Sequence, residues 1–130
     1  MENNFSCILI DDDIDEHEFF QIILRKCSLP VDCVYTRSCI EAITAAEKTP
    51  EEVFSFIIVD WILLDKISLG CSRELKDVSV FGKSKFIIYS VTPPPKNILS
   101  DYALNERFFI KKDHSFEAVA EELRSLVTTL

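Results

Sequence analysis

The chain has 130 residues, of which 48% are apolar and 28% charged, with 10 Phe and 2 Gly. That is the length of one ordinary domain with enough apolar material for a core, and it excludes disordered and collagen-like chains. Lys and Arg number 14 against 22 Asp and Glu, a net charge of −8, so the basic footprint that grips phosphate backbones is missing and no nucleic-acid partner is expected.

No apolar run approaches the roughly 18 residues that cross a bilayer, and Met1-Glu2-Asn3-Asn4 lacks both the basic and the apolar part of a secretory signal. A cytoplasmic protein without membrane contact is expected. The five cysteines, Cys7, Cys27, Cys33, Cys39 and Cys71, form no CxxC pair and have no histidine at zinc-site spacing. They are expected to be reduced thiols that mostly fill the core.

In chain order, the first β-rich run is Cys7-Ile8-Leu9-Ile10, followed by a helical stripe of Phe20, Ile23, Leu24 and Cys27 within Glu16 to Cys27. Cys33-Val34-Tyr35 is the second run, and Ser38-Cys39-Ile40-Glu41 is a capping box that opens a helix through about Lys48. Phe54 to Val59 and Phe86-Ile87-Ile88-Tyr89 are almost continuously apolar, as strands buried on both faces of a parallel sheet are. Asp65 to Val78, polar and carrying Gly70, reads as a loop with a short helix. Pro93-Pro94-Pro95 stops the fourth strand's neighbourhood and leads into a helix over Lys96 to about Leu104. Phe108-Phe109-Ile110 is the fifth run, and Phe116, Val119, Ala120, Leu123, Leu126, Val127 and Leu130 keep helical period to the end. Strand and helix thus alternate five times, which predicts one doubly wound α/β domain: a five-stranded parallel sheet with helices on both faces.

Ligands of such a sheet bind beyond the carboxyl ends of its strands. The residues there are Asp11-Asp12-Asp13 after the first run, Asp60 after the third, Ser90 after the fourth and Lys111-Lys112 after the fifth. Crowded carboxylates resist joint ionisation unless a cation joins them. Mg²⁺ suits, because it takes one or two carboxylates, keeps waters and accepts phosphate oxygens. An aspartate at such a site can attack a phosphoryl donor while a metal and a lysine neutralise charge and a hydroxyl binds a transferring oxygen. On this reading Asp60 is the nucleophile, Asp11 and Asp12 hold the metal, Lys112 is the counter-charge and Ser90 supplies the hydroxyl.

Over essentially its whole length the chain resembles the receiver domains of two-component response regulators, which have the flavodoxin-like (βα)5 fold. The resemblance is carried by Ile8-Leu9-Ile10-Asp11-Asp12-Asp13, by Ile57-Ile58-Val59-Asp60-Trp61, by Ile87-Ile88-Tyr89-Ser90 and by Phe109-Ile110-Lys111-Lys112. It implies a receiver over residues 1–130 that is a kinase substrate more than an enzyme. Asp60 would be the phosphoacceptor, and a histidine kinase or histidine phosphotransfer protein the donor. The resemblance also implies Mg²⁺ on Asp11, Asp12, Asp60 and the backbone carbonyl of Ile62. Ser90 and Phe109 would form a switch that repacks a face read by a downstream protein, and a homodimer through that face is a further family trait.

Leu64 and Asp113 stand where the family usually has proline, and Val91 where it usually has a small residue. The run from Asp60 to Gly70 is longer than usual, so a reshaped loop is expected there. A different class of function is a receiver-like interaction module that binds its partner without phosphorylation.

Bland and rival readings are weaker. Asp11 to Glu16 as a mere solvated helix start leaves the other strand-end residues unexplained. An EF-hand from Asp11 would need glycine and glutamate where Glu16 and Ile22 stand. A phosphatase of the haloacid dehalogenase type would need Thr or Val where Asp15 stands. Trp61 and Tyr35 read as packing residues, Lys112 alone as an ordinary surface lysine, and His17 and His114 as exposed.

Overall fold

The computed structural model describes residues 5–49, 54–65, 84–101, 109–112 and 115–128. Strands β1 (Phe5–Ile10), β2 (Val31–Thr36), β3 (Phe56–Val59), β4 (Lys85–Ser90) and β5 (Phe109–Lys111) alternate with helices α1 (Ile14–Lys26), α2 (Cys39–Lys48), α3 (Trp61–Asp65), α4 (Lys96–Asp101) and α5 (Phe116–Thr128). The strands form one sheet in the order β2-β1-β3-β4-β5, and every pairing is parallel. This is the doubly wound parallel sheet that the alternation predicts, with the flavodoxin-like order that the resemblance implies. Order reverses beside β1, so β1 and β3 lie side by side with their carboxyl ends open to one crevice.

The unbroken apolar runs have their cause in the layers. Successive residues of a strand face opposite sides, and both sides here are covered. Cys7, Leu9, Ile58, Ile87 and Tyr89 pack with Phe20, Ile23 and Leu24 of α1 and Val119, Ala120 and Leu123 of α5. On the other face, Ile8, Ile10, Ile57, Val59 and Ile88 pack with Cys39, Ala42 and Ala46 of α2, Leu63 of α3 and Ile98 of α4.

Local chemistry sets the helix ends. Asp13 caps α1, its Oδ1 accepting the Asp15 N–H at 2.9 Å. Ser38 caps α2 by accepting the Glu41 N–H at 3.1 Å, and Glu41 reaches back to the Arg37 N–H at 2.9 Å, one residue before the N–H that a standard capping box uses. The end of α1 is a Schellman turn: Ser28 has φ 50°, its N–H reaches the Arg25 carbonyl, and the Leu29 N–H reaches that of Leu24. Leu24 and Leu29 then meet in the core.

Three expectations shift. Helix α1 starts at Ile14 rather than Glu16 because Asp13 caps it, and the β3 ladder starts at Phe56 rather than Phe54. Cys39 is disulfide-bonded, which corrects the expectation of reduced thiols, since spacing along a chain says nothing about a pairing made by the fold. Cys7, Cys27 and Cys33 are free. Cys71, His114, the segment from Lys66 to Val78 and the final residues of the last helix lie outside the described residues. None of the described helices is long and apolar enough to cross a membrane.

Candidate functional site

The sheet ladder delivers Asp11 and Lys112 to the same edge. The Asp11 N–H donates to the Thr36 carbonyl at 3.0 Å and the Lys112 N–H to the Ser90 carbonyl at 2.9 Å, so each continues its strand's pairing by one residue. Asp60 follows β3 directly and opens α3, its carbonyl accepting the Leu63 N–H and its Oδ1 the Ile62 N–H, both at 3.0 Å.

At the centre stands the Lys112 ammonium, 2.8 Å from Asp11 Oδ2 and 2.8 Å from Asp60 Oδ2. All three groups are largely withdrawn from water, with Asp11 fully buried. Asp11 Oδ1 accepts the Asp13 N–H at 3.0 Å. Its Oδ2 is fully buried and, among the described residues, has the Lys112 ammonium as its one partner.

Burial pushes the Asp11 carboxyl above its ordinary value, against the opposing pull of Lys112. For Lys112, burial works to lower the ammonium, but Asp11 and Asp60 together outweigh it and the group ends above its ordinary value. Both partners thus record the same fact: the charges are costly here and are kept by one another.

Around this centre lies a polar frame that the sequence reading missed. The Tyr89 hydroxyl donates to Glu16 Oε1 at 2.7 Å, tying β4 to the first turn of α1. Its ring sits edge-on to Phe20 at 5.1 Å and lies 5.6 Å below the Lys112 ammonium, within cation–π range. Burial, followed by the Glu16 bond, drives the Tyr89 phenol far above its ordinary range. His17, expected to be exposed, is half-buried and its Nε2 donates to the Asp11 carbonyl at 2.7 Å. Glu16 and His17 sit at helix positions whose neighbours appear only once α1 is laid on the sheet.

Ser90 is fully buried at the end of β4, and its hydroxyl donates to the Thr92 carbonyl. The Trp61 indole N–H donates to the same carbonyl at 3.0 Å, a role beyond the packing expected of Trp61. Phe109, at the start of β5, is half-buried against the α2/α4-side core, as is Trp61. Ile14 at the start of α1, Ile62 in α3 and Val91 after β4 leave 51%, 43% and 57% of their surface exposed.

The structure therefore brings Asp11, Asp60 and Lys112 into contact, with Ile62 bonded to Asp60 through its N–H. Asp12 is at the same edge and exposed. No group of three or more metal-ligating side chains is gathered among the described residues. A hard cation that takes one or two carboxylates and keeps its waters needs no such group. The buried Asp11 Oδ2, with the Lys112 ammonium as its one partner among the described residues, keeps a lone pair that such a cation could take, so the residues fit Mg²⁺ with Asp11, Asp12, Asp60 and the Ile62 carbonyl as candidate ligands.

No protein-family model and no curated protein matches the chain. Solved structures do. The chemotaxis protein CheY4 of Vibrio cholerae superposes with a TM-score of 0.71 at 17% identity, covering 98% of this chain and 99% of that one. The phosphorylated cyanobacterial phytochrome response regulator RcpA gives 0.70 at 16%, covering 98% and 96%. A response regulator from Thermotoga maritima gives 0.68 at 13%, covering 96% and 98%. The fold is that of CheY-like receiver domains. At these identities the likeness establishes the receiver fold, and what the strand-end site does must be argued from its own residues.

Proposed function

We propose that the chain is a response-regulator receiver that takes a phosphoryl group on Asp60 and signals by changing its contacts with other proteins. The observation that carries this reading is the Lys112 ammonium, 2.8 Å from both Asp11 and Asp60 at the carboxyl edge of the sheet. A buried cation is fixed beside a carboxylate whose second oxygen is already held by a backbone N–H, so the acceptor is oriented before any donor arrives.

The donor is a phosphohistidine of a histidine kinase or phosphotransfer protein. An Asp60 oxygen forms a bond to phosphorus as the phosphorus–nitrogen bond breaks, and the imidazole departs with a proton from solvent. The transition state spreads charge over the transferring oxygens, and catalysis is largely neutralisation and positioning. Lys112 supplies one fixed charge, and Mg²⁺, when bound by Asp11, Asp12, Asp60 and the Ile62 carbonyl, supplies the other. The chain is then a substrate in the transfer rather than an enzyme that turns over. New acceptor oxygens on Asp60 attract the Ser90 hydroxyl, and Phe109 repacks as Ser90 moves, altering the face that a downstream protein or a second copy reads.

The test is labelling by acetyl phosphate with and without Mg²⁺. The wild type is expected to take up phosphate in an Mg²⁺-dependent, hydroxylamine-labile form, and Asp60→Asn to take up none. Wild-type labelling of Asp60→Asn would falsify the assignment. A folded wild type that is never labelled and binds no beryllofluoride would turn the reading to an interaction module that works without phosphate.

A further inference from the structure

Ser90 and Trp61 share an acceptor. The Ser90 hydroxyl and the Trp61 indole N–H both end on the Thr92 carbonyl, the latter at 3.0 Å. A hydroxyl carries a single proton and a carbonyl oxygen two lone pairs. Ser90 in this position therefore has no donor left for a phosphoryl oxygen on Asp60, and must leave Thr92 before it can act. Ser90 is buried and Thr92 exposed, so the carbonyl that Ser90 abandons is left to the indole N–H and to water.

Trp61 directly follows Asp60 in the chain, yet its indole reaches across to the β4–α4 loop. Pro93, Pro94 and Pro95 stiffen that loop immediately after Thr92. When Ser90 withdraws, the indole N–H still satisfies the carbonyl and keeps the loop from following. Without the indole N–H, the carbonyl would have Ser90 as its sole donor among the described residues and would hold it more tightly.

We propose that Trp61 is a positioning residue whose indole N–H holds the Thr92 carbonyl, so that the Ser90 hydroxyl is free to turn to a phosphoryl group on Asp60. The inference rests on the phosphoryl-acceptor reading above and adds to it a step on the hydroxyl side of the site.

The chain's single tryptophan gives one indole N–H resonance, which makes the step visible by NMR. In the wild type with Mg²⁺, beryllofluoride is expected to move that resonance downfield as the indole bond to Thr92 becomes unshared. In Ser90→Ala the resonance should already be displaced in the free protein and move little on beryllofluoride. Trp61→Phe, which keeps an aromatic ring but loses the indole N–H together with part of the ring's volume, is expected to slow labelling by acetyl phosphate about three- to tenfold, the span of one neutral hydrogen bond. In a Ser90→Ala background the same substitution should change the rate within about twofold.

Equal slowing in both backgrounds would overturn the inference, because a structural role of Trp61 would act with or without Ser90. So would an indole resonance that ignores both Ser90→Ala and beryllofluoride. If the wild type is neither labelled nor bound by beryllofluoride, the acceptor reading falls and takes the inference with it. If labelling is normal and only the coupling to Ser90 is missing, the inference alone falls.

Discussion

The charged side of the strand-end site is fixed by the sheet itself, whereas its hydroxyl side hangs on one loop carbonyl. Asp11 and Lys112 extend the ladders of β1 and β5, Asp60 is pinned by the Ile62 N–H, and Lys112 bridges both carboxylates over the Tyr89 ring. Ser90 and Trp61 meet only at Thr92, on an exposed turn that leads into three prolines. A bond network anchored at the ends of strands has one arrangement. A hydroxyl with two alternative acceptors has two. On the proposed function, the contrast separates the part of the site that must stay put to neutralise charge from the part able to report that charge has arrived.

Removing the lysine attacks the fixed side most directly. Lys112→Met leaves two buried carboxylates facing one another without a counter-charge, and breaking a buried pair in this way costs roughly 3–5 kcal/mol. Urea unfolding at neutral pH should show a loss of that order. The deficit should shrink at acid pH, because the Asp11 carboxyl, raised by burial, regains its proton there in the native state before the unfolded chain does. Mg²⁺ should recover more stability in Lys112→Met than in the wild type. A loss below about 1 kcal/mol, the scale of a surface pair, would mean that the charged side is not the rigid element described here.

Tyr89 tests how the fixed side is braced. Tyr89→Phe removes the bond to the Glu16 carboxylate and keeps the ring beneath Lys112, at an expected cost of about 1.5–3 kcal/mol for a hydrogen bond to a charged group. It should also change the response to alkali. The folded Tyr89 phenol lies far above its ordinary value of 10.0, and Lys112 above its ordinary 10.5. Above those ordinary values the unfolded chain sheds protons that the native state keeps. Stability contributed by both groups is therefore complete below about pH 10 and lost as pH rises through the folded values. Urea midpoints from pH 7 to 11 should fall for the wild type and fall less steeply for Tyr89→Phe. Identical slopes would place the alkaline sensitivity elsewhere.

The placement of the strand-end residues was legible in the sequence, and their bracing was not, for a physical reason. Asp11, Asp60, Ser90 and Lys112 each follow an apolar run whose length and composition mark a buried parallel strand, so one-dimensional spacing carries them to the same edge. Tyr89 bonds Glu16 across 73 positions, and Trp61 bonds Thr92 across 31. Such pairs depend on which helix covers which face, and no local pattern encodes that. Tyr89 ends an apolar run and is indistinguishable there from a plain core aromatic until its hydroxyl finds a partner. His17 was misread for the same reason: its acceptor is the backbone of Asp11, created by the turn that caps α1. The Cys39 disulfide is likewise a product of the fold and not of spacing.

Asp12 divides metal affinity from stability and gives the smallest structural effect. It is exposed, where Asp11 beside it is buried and paired with Lys112. Substitution of an exposed residue away from a cap or core shifts stability by no more than about 0.5 kcal/mol. Asp12→Ala should therefore unfold with the wild type, while its Mg²⁺ affinity, read by Trp61 fluorescence, falls by about tenfold, or 1.4 kcal/mol, as a charged oxygen ligand is lost. Asp11→Ala cannot make this separation, because it also strips a partner from Lys112. An unchanged Mg²⁺ titration for Asp12→Ala would leave Asp11, Asp60 and the Ile62 carbonyl as the whole protein contribution to the ion, and would make Asp12 no more than a solvated neighbour of the cap on α1.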